Sequence, residues 1–320
     1  MSISKISDFA APGAAEIQRE VWLLGQPRLG RYLDFVREKA VGGASERQSA
    51  LVDEWRAAND HFCGLEEAEA GIADRVEIRD LDPAMLPLAA QVEADSRYRQ
   101  IVEAIPARFA MVELDKLVTP QQHVNLDHIE RLKARISPNL PPAELFKFCM
   151  PLDRAETPVN VRQTGSKSYT FWSDSSDFRF HGGSLLGAGN IIDHDPIGPI
   201  AAAVGLMVGF SSNFLMAIQS DSRLLLHNGN HRVYALRDAG FTHAPCLIQE
   251  VTRREELELI ASRRVIESAA FYFKGDRPPM IKDYFDPKLR KTHRVHKIQR
   301  MVEVSFEVRE FEVKDLAAAR

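Results

Sequence analysis

The run Leu224, Leu225, Leu226, His227, Asn228, Gly229, Asn230, His231, Arg232 holds the most concentrated chemistry of the chain. Three leucines make a short continuous apolar strand, and Asn228, Gly229 and Asn230 supply turn chemistry directly after it. A helix is predicted to start near His231, capped by Asn230, with Val233, Leu236 and Ala239 on one face and Gly240 at its end. Arg237 suits the negative pole of that helix. A helix start presents backbone N–H groups without intrahelical acceptors, and a glycine ahead of it lets an anion come close. With His231 and Arg232 as added donors, the pattern describes a cradle for a phosphate or carboxylate. The same residues also suit an ordinary capped strand-to-helix turn, and both readings stand at this level.

Elsewhere the chemistry-bearing residues are scattered. His181 precedes Gly182 and Gly183 and is expected at a strand end followed by a tight turn. Asp193, His194 and Asp195 are consecutive, and neighbours on an extended segment point to opposite faces, so no metal site is expected there. Cys63, Cys149 and Cys246 have neither paired nor metal-ligand spacing and are read as core residues of a reducing compartment. Residues 287–300 hold six Lys or Arg and no acid, a candidate surface for nucleic acid between Lys288 and Arg300 or, more simply, a solvated face.

Composition bounds the class. The 320 residues are 45% hydrophobic and 27% charged with a formal net charge of −4, which gives no bulk attraction to nucleic acid. The N-terminus lacks the apolar run of a secretory signal, and the least polar stretch, 197–210, is broken by Pro199 and three glycines. A cytoplasmic protein with no membrane partner is expected, its oligomeric state left open.

Several elements must position the cradle. Residues 1–20 read as a loosely ordered arm, and a helical pattern from Leu29 runs to Gly42 and Gly43. Ser45 with Gln48 resembles a capping box for a helix that buries Leu51, Val52 and Trp55, and helical pieces follow at 65–73 and 95–105. A strand is expected within 107–117, then a proline turn and a helix over 127–136 capped by Asn125 or Asp127. Pro138, Pro141 and Pro142 close that unit, and residues 146–150 and 169–172 read as strands. Gly205 and Gly209 have the spacing of close helix packing. Residues 214–219 and 223–227 bracket a polar hairpin link, and 243–251 form a strand that completes a strand-helix-strand unit with the cradle. A charged helix over 253–264 and a terminal strand over 302–313 are expected after it.

Two separated pieces resemble the ParB/sulfiredoxin superfamily: residues 112–120 (Val112, Glu113, Leu114, Asp115, Lys116, Leu117, Val118, Thr119, Pro120) with the helix after them, and Gly229 to Ala235 with the strand that follows. The match covers about 109–138 and 212–250. The resemblance implies an α+β chain with a ParB/sulfiredoxin-like mixed α/β core at 107–250 and a long insertion at about 140–211; the residue patterns place a mostly helical region at 1–106 before it and a C-terminal helix, basic segment and terminal strand at 251–320 after it. It implies binding of a nucleoside triphosphate, ATP or CTP, with Mg²⁺ as a candidate companion. Phosphate contacts then fall to Asn228, Gly229, Asn230, His231 and Arg232, with Gln122 and His123 across the cleft. Sulfiredoxins carry their catalytic cysteine directly after the glycine, where this chain has Asn230, so thiol repair is not expected. Partitioning proteins carry an arginine-rich turn and a helix-turn-helix module, whereas His231 replaces one arginine and no helix pair of that kind is evident after residue 250.

Three functions follow from this reading. The first is a nucleotide-dependent phosphotransferase or hydrolase, with Arg232 neutralising phosphate, His231 donating or exchanging a proton, and Glu113 or Asp115 activating the acceptor or holding Mg²⁺. The second is a nonenzymatic nucleotide sensor or DNA-binding module, with the 288–300 run as its partner surface. The third is a scaffold that keeps the fold without its ligand.

Overall fold

The computed structural model describes residues 16–26, 28–137, 139–153, 158–175, 177–187, 189, 198–297 and 299–312. The chain is mixed α+β, with several small sheets instead of one large one. It opens with β1 (Ile17–Leu23), α1 (Leu29–Lys39) and α2 (Gln48–Ala68). β2 (Ile78–Arg79), α3 (Leu86–Glu93) and α4 (Ser96–Val102) follow, α4 being capped by the Asp95 carboxylate, which accepts the Arg97 N–H. Next come β3 (Ala107–Glu113), β4 (His123–Asn125), α5 (Leu126–Lys133) and α6 (Pro142–Cys149). β5 (Asn160–Gly165), β6 (Ser168–Ser173), β7 (Arg179–Gly187) and β8 (Ala202–Gly209) precede the hairpin of β9 (Met216–Ser220) and β10 (Arg223–Asn228). The chain continues through α7 (Asn230–Asp238), β11 (His243–Glu250), α8 (Arg254–Ile260), α9 (Arg263–Glu267) and α10 (Ala269–Lys274). Last come β12 (Arg290–His296) and β13 (Arg300–Ser305).

The described residues fall into two compact units, a larger one within 16–153 and 212–297 and a smaller one within 158–211 and 299–312. The main sheet of the larger unit has the order β10-β9-β11-β3-β2, with β9 and β11 parallel and the other neighbours antiparallel. Its central leucines are buried on alternate faces, as a period of two requires. Leu224 and Leu226 join Val233, Leu236 and Ile129 in one core, while Leu225 joins Val118, Ile218 and Met280 in another. Each such burial contributes about 1.5–3 kcal/mol relative to exposure. Val118 lengthens the sheet beyond β10: its N–H donates to Leu224 O at 2.9 Å and its carbonyl accepts the Leu226 N–H at 2.8 Å. That pairing carries the following residues, Thr119 to His123, alongside the start of α7. A second antiparallel sheet, β12-β1-β4, lies in the same unit with Trp22, Tyr32 and Phe35 packed at its side.

In the smaller unit β6 is flanked by β5 and β13, and β7 pairs with β8. Among the described residues no helix is long and apolar enough to cross a membrane.

Several expectations are corrected. Residues 146–150 are helical or helix-terminal, because Pro142 starts α6 and Leu145, Phe146, Phe148 and Cys149 are buried at helical spacing. β10 and β11 are not neighbours: β9 lies between them, so β10 runs antiparallel to β11 and the parallel pair is β9 with β11. Gly205 and Gly209 sit in strand β8, not on a helix. The strand at Arg179 continues past Gly182, where φ is +108° and the register shifts, as far as Gly187. No capping box forms at Ser45, since α2 starts after Arg47 with no side-chain cap. The single charged helix over 253–264 is broken into α8 and α9. β1, in the stretch read as passing from arm to helix, is the middle strand of its sheet.

Candidate functional site

The site is built around Gly229. It is the N-cap of α7 with φ +99°, a left-handed conformation open to glycine, and a Cβ there would lie 3.2 Å from Leu215 Cγ. Gly229 offers no side-chain cap, and the first bond into the helix runs from the Val233 N–H to Gly229 O at 2.9 Å. Asn230, expected as the cap, is instead the first helical residue, and Gly240, with φ +92°, stands just past the end of the helix.

Freed from capping, Asn230 turns to the other motif. Its Oδ1 accepts the Thr119 hydroxyl at 2.9 Å, across 111 positions of sequence, and the two residues are 8% and 1% exposed. A second link lies one residue on, where His231 Nε2 accepts the Asn125 N–H at 3.0 Å. Asn125 is also the N-cap of α5, its Oδ1 accepting the His128 N–H at 2.8 Å. The first turns of α5 and α7 are thereby set side by side, with the His128 ring edge-on to His231 at 5.1 Å.

Accepting through Nε2 leaves the His231 proton on Nδ1. Burial, reinforced by His128, His123 and Arg232, pushes its pKa down to about 3. The imidazole is therefore neutral at physiological pH, and the positive potential of the turn comes from backbone dipoles and Arg232.

Arg232 lies beneath the turn and is 7% exposed. Its guanidinium donates to Cys149 O at 2.7 Å and to both the carbonyl and the side-chain oxygen of Asn213, joining the end of α6 to the segment before β9. Asn228 also serves the backbone, donating from Nδ2 to Phe214 O at 2.9 Å. Gln122 accepts the Leu23 N–H through its carbonyl at 2.8 Å. His123 stacks on Trp22 with ring centroids 4.9 Å apart and places Nδ1 2.9 Å from Glu20 Oε2.

Glu113 and Asp115 lie at the opposite end of α7. Asp115 accepts from Arg237 Nε at 2.9 Å, and Glu113 pairs with Lys116 at 3.0 Å while accepting the Glu77 N–H at 3.0 Å. Both line an open cleft of about 540 Å³ with Glu77, Arg79, Arg237 and His243. Eight residues of helix separate Gly229 from Arg237, roughly 12 Å at the α-helical rise, so these carboxylates and His231 are not brought to one reacting atom.

Among the described residues no group of His, Cys, Asp and Glu is arranged to hold a metal, and Asp193 to Asp195 lie outside them. Cys63 is exposed, whereas Cys149 and Cys246 are buried, with burial pushing the Cys149 thiol up to about 12. In the basic run, Arg290, Arg294 and His296 alternate on the exposed side of β12. Lys291 pairs with Glu54, Lys297 with Glu16 at 2.6 Å, and Arg290 donates to Tyr284 O at 3.2 Å.

Sequence reasoning passed over Thr119 as a partner of Asn230 and Asn213 as a partner of Arg232. Thr119 carried one signal, its place directly before Pro120 in the resembling stretch; Asn213 carried none. Comparison of the chain with protein-family models, with curated proteins and with solved structures found no match.

Proposed function

We propose that this protein binds a nucleoside triphosphate, ATP or CTP, with its phosphates at the glycine-capped start of α7 and its remainder against the Thr119–His123 segment. The single observation that carries this reading is the pair of hydrogen bonds Thr119 to Asn230 and Asn125 to His231, which join two distant segments around a helix N-terminus that has no side-chain cap. The ParB/sulfiredoxin resemblance rests on the same two segments.

Binding is favoured over phosphoryl transfer. Transfer needs a base or metal-holding carboxylate beside the phosphate, and Glu113 and Asp115 are paired at the far end of α7. They do not fit as holders of Mg²⁺ at the cradle, so a metal ion would arrive on the triphosphate itself. His231, neutral and accepting from Asn125, is suited to hold the two helix starts together and to donate from Nδ1. Arg232 supplies charge from below while fixing Cys149 and Asn213. A nucleic-acid partner has less support, because several charges of the 288–300 run already serve internal pairs.

The test is a thermal-shift panel of ATP, CTP and GTP with Mg²⁺, run beside a phosphate-release assay. The reading expects stabilisation by at least one triphosphate with no turnover above background. Absence of stabilisation at millimolar nucleotide removes it, and steady phosphate release that survives purification controls restores the enzymatic alternative.

A further inference from the structure

In the smaller unit, one face of the β7–β8 pair carries no polar side chain. Residues directly opposite each other in an antiparallel pair point to the same side of the sheet. The rows Gly183–Leu206, Leu185–Val204 and Gly187–Ala202 therefore share one face, and Phe180 opposite Val208 extends it beyond the bulge. Leu206 leans across that face, since a Cβ added to Gly183 would meet its Cδ2 at 3.1 Å. Leu185 and Val204 are 74% and 72% exposed, and Phe180 and Leu206 are 49% and 41% exposed. On the reverse face Leu186, Ala203 and Gly205 are half-buried.

An exposed sheet face is ordinarily polar, and a two-stranded ribbon is marginal in water without a layer over it. The four large side chains present on the order of 400 Å² of apolar surface, the scale at which a patch marks a binding surface. Its relief indicates the occupant. The Leu185–Val204 row stands high, whereas the next row, Gly187–Ala202, has almost no side chain, and a Cβ built on Gly187 meets nothing within 4 Å. The two rows are about 7 Å apart along the strands. A two-fold axis lying across the strands between them sets the high row of each copy over the flat row of the other, at the usual sheet-on-sheet spacing of about 10 Å. The face is thus complementary to itself. It offers no charge to a lipid headgroup or a phosphate.

We propose that this face joins two copies of the chain in a two-fold dimer, with Leu185 of each copy seated over Gly187 of the other and Val204 over Ala202. The inference is independent of the nucleotide reading. Four side chains per copy bury on the order of 800 Å² between them, with the glycine backbone in addition, which is small for a protein pair and places dissociation in the micromolar range.

The experiment is sedimentation velocity of the full chain from low micromolar to several hundred micromolar, with wild type beside Leu185→Asp and Gly187→Val. Circular dichroism and melting temperature at low concentration serve as folding controls. Wild type is expected to pass from monomer to dimer across the range, and Leu185→Asp, which would bury a carboxylate against its copy, to stay monomeric. Gly187→Val fills space that is open in the single copy and is expected to weaken the dimer roughly tenfold with its melting unchanged. Wild type that is monomeric at every concentration overturns the dimer, and flotation of that monomer with phosphatidylcholine vesicles would assign the face to lipid instead. A dimer that persists in Leu185→Asp has its interface elsewhere and also overturns the proposal. One that is unaffected in Gly187→Val overturns the seating of high row on flat row.

Discussion

Acidification offers the sharpest physical test of how the site is built. His231 and His293 are ordinarily half-protonated near 6.5, and in the folded chain their pKa values fall to about 3 and about 4. Burial is the leading cause for both, followed by His128 for the first and Lys291 for the second. A depressed folded pKa means that the unfolded chain binds more protons between the two values. Stability is therefore full above pH 6.5 and is lost as pH falls toward 3 or 4. At pH 5 each histidine withdraws about 2 kcal/mol, so the pair removes about 4 kcal/mol relative to pH 8. Lowering of the His128 pKa, led by burial, acts in the same direction. Urea unfolding at pH 8 and pH 5, followed through the buried Trp22, reads this difference directly. His231→Gln, which retains an acceptor for the Asn125 N–H, should remove about half of it. A pH 8 to pH 5 change below about 1 kcal/mol in wild type, or one left intact in His231→Gln, would refute the neutral, half-buried imidazole.

Two further perturbations probe the framework of the turn. Arg232→Met leaves the Asn213 carbonyl without its donor, while the Cys149 carbonyl keeps the Leu215 N–H, and should destabilise by about 2 kcal/mol in urea unfolding; unchanged stability with lost nucleotide binding would instead make Arg232 a direct ligand contact. Alanine at three left-handed glycines should rank Gly25 as most damaging, Gly229 next and Gly240 least in melting temperature. A Cβ meets backbone at 2.7 Å at Gly25, a leucine side chain at 3.2 Å at Gly229 and open space at Gly240.

How far the sequence reaches is visible in particular elements. The β10-to-α7 junction was legible because a buried strand, a glycine and a second glycine past the helix end are each local signals. The strand order was not, because the placement of β9 between β10 and β11 is a tertiary choice that no local pattern states. Residues 146–149 misled because Phe146, Phe148 and Cys149 suit a buried strand as well as a buried helix, and the deciding feature was Pro142 upstream. At the site, residue types marked Asn230 as the helix cap, whereas the glycine took the cap and the Asn230 amide reached Thr119. Arg232 read as an open phosphate ligand because sequence cannot tell that its guanidinium is already engaged by two backbone carbonyls. Glu113 and Asp115 belong to the resembling stretch in sequence and stand a helix length away from the turn in space.

The most direct measurement of the central claim is the affinity of wild type and Asn230→Asp for ATP and CTP by isothermal titration. The substitution keeps shape and retains an oxygen for the Thr119 hydroxyl, while placing a negative charge at the helix start. A like charge about 5 Å from a phosphate costs about 3 kcal/mol at an effective dielectric of 20. A nucleotide cradle at Gly229 predicts that wild type binds and that Asn230→Asp binds roughly a hundredfold more weakly with an unchanged melting temperature in the absence of nucleotide. Equal affinities in the two proteins would place the phosphates elsewhere and contradict the account.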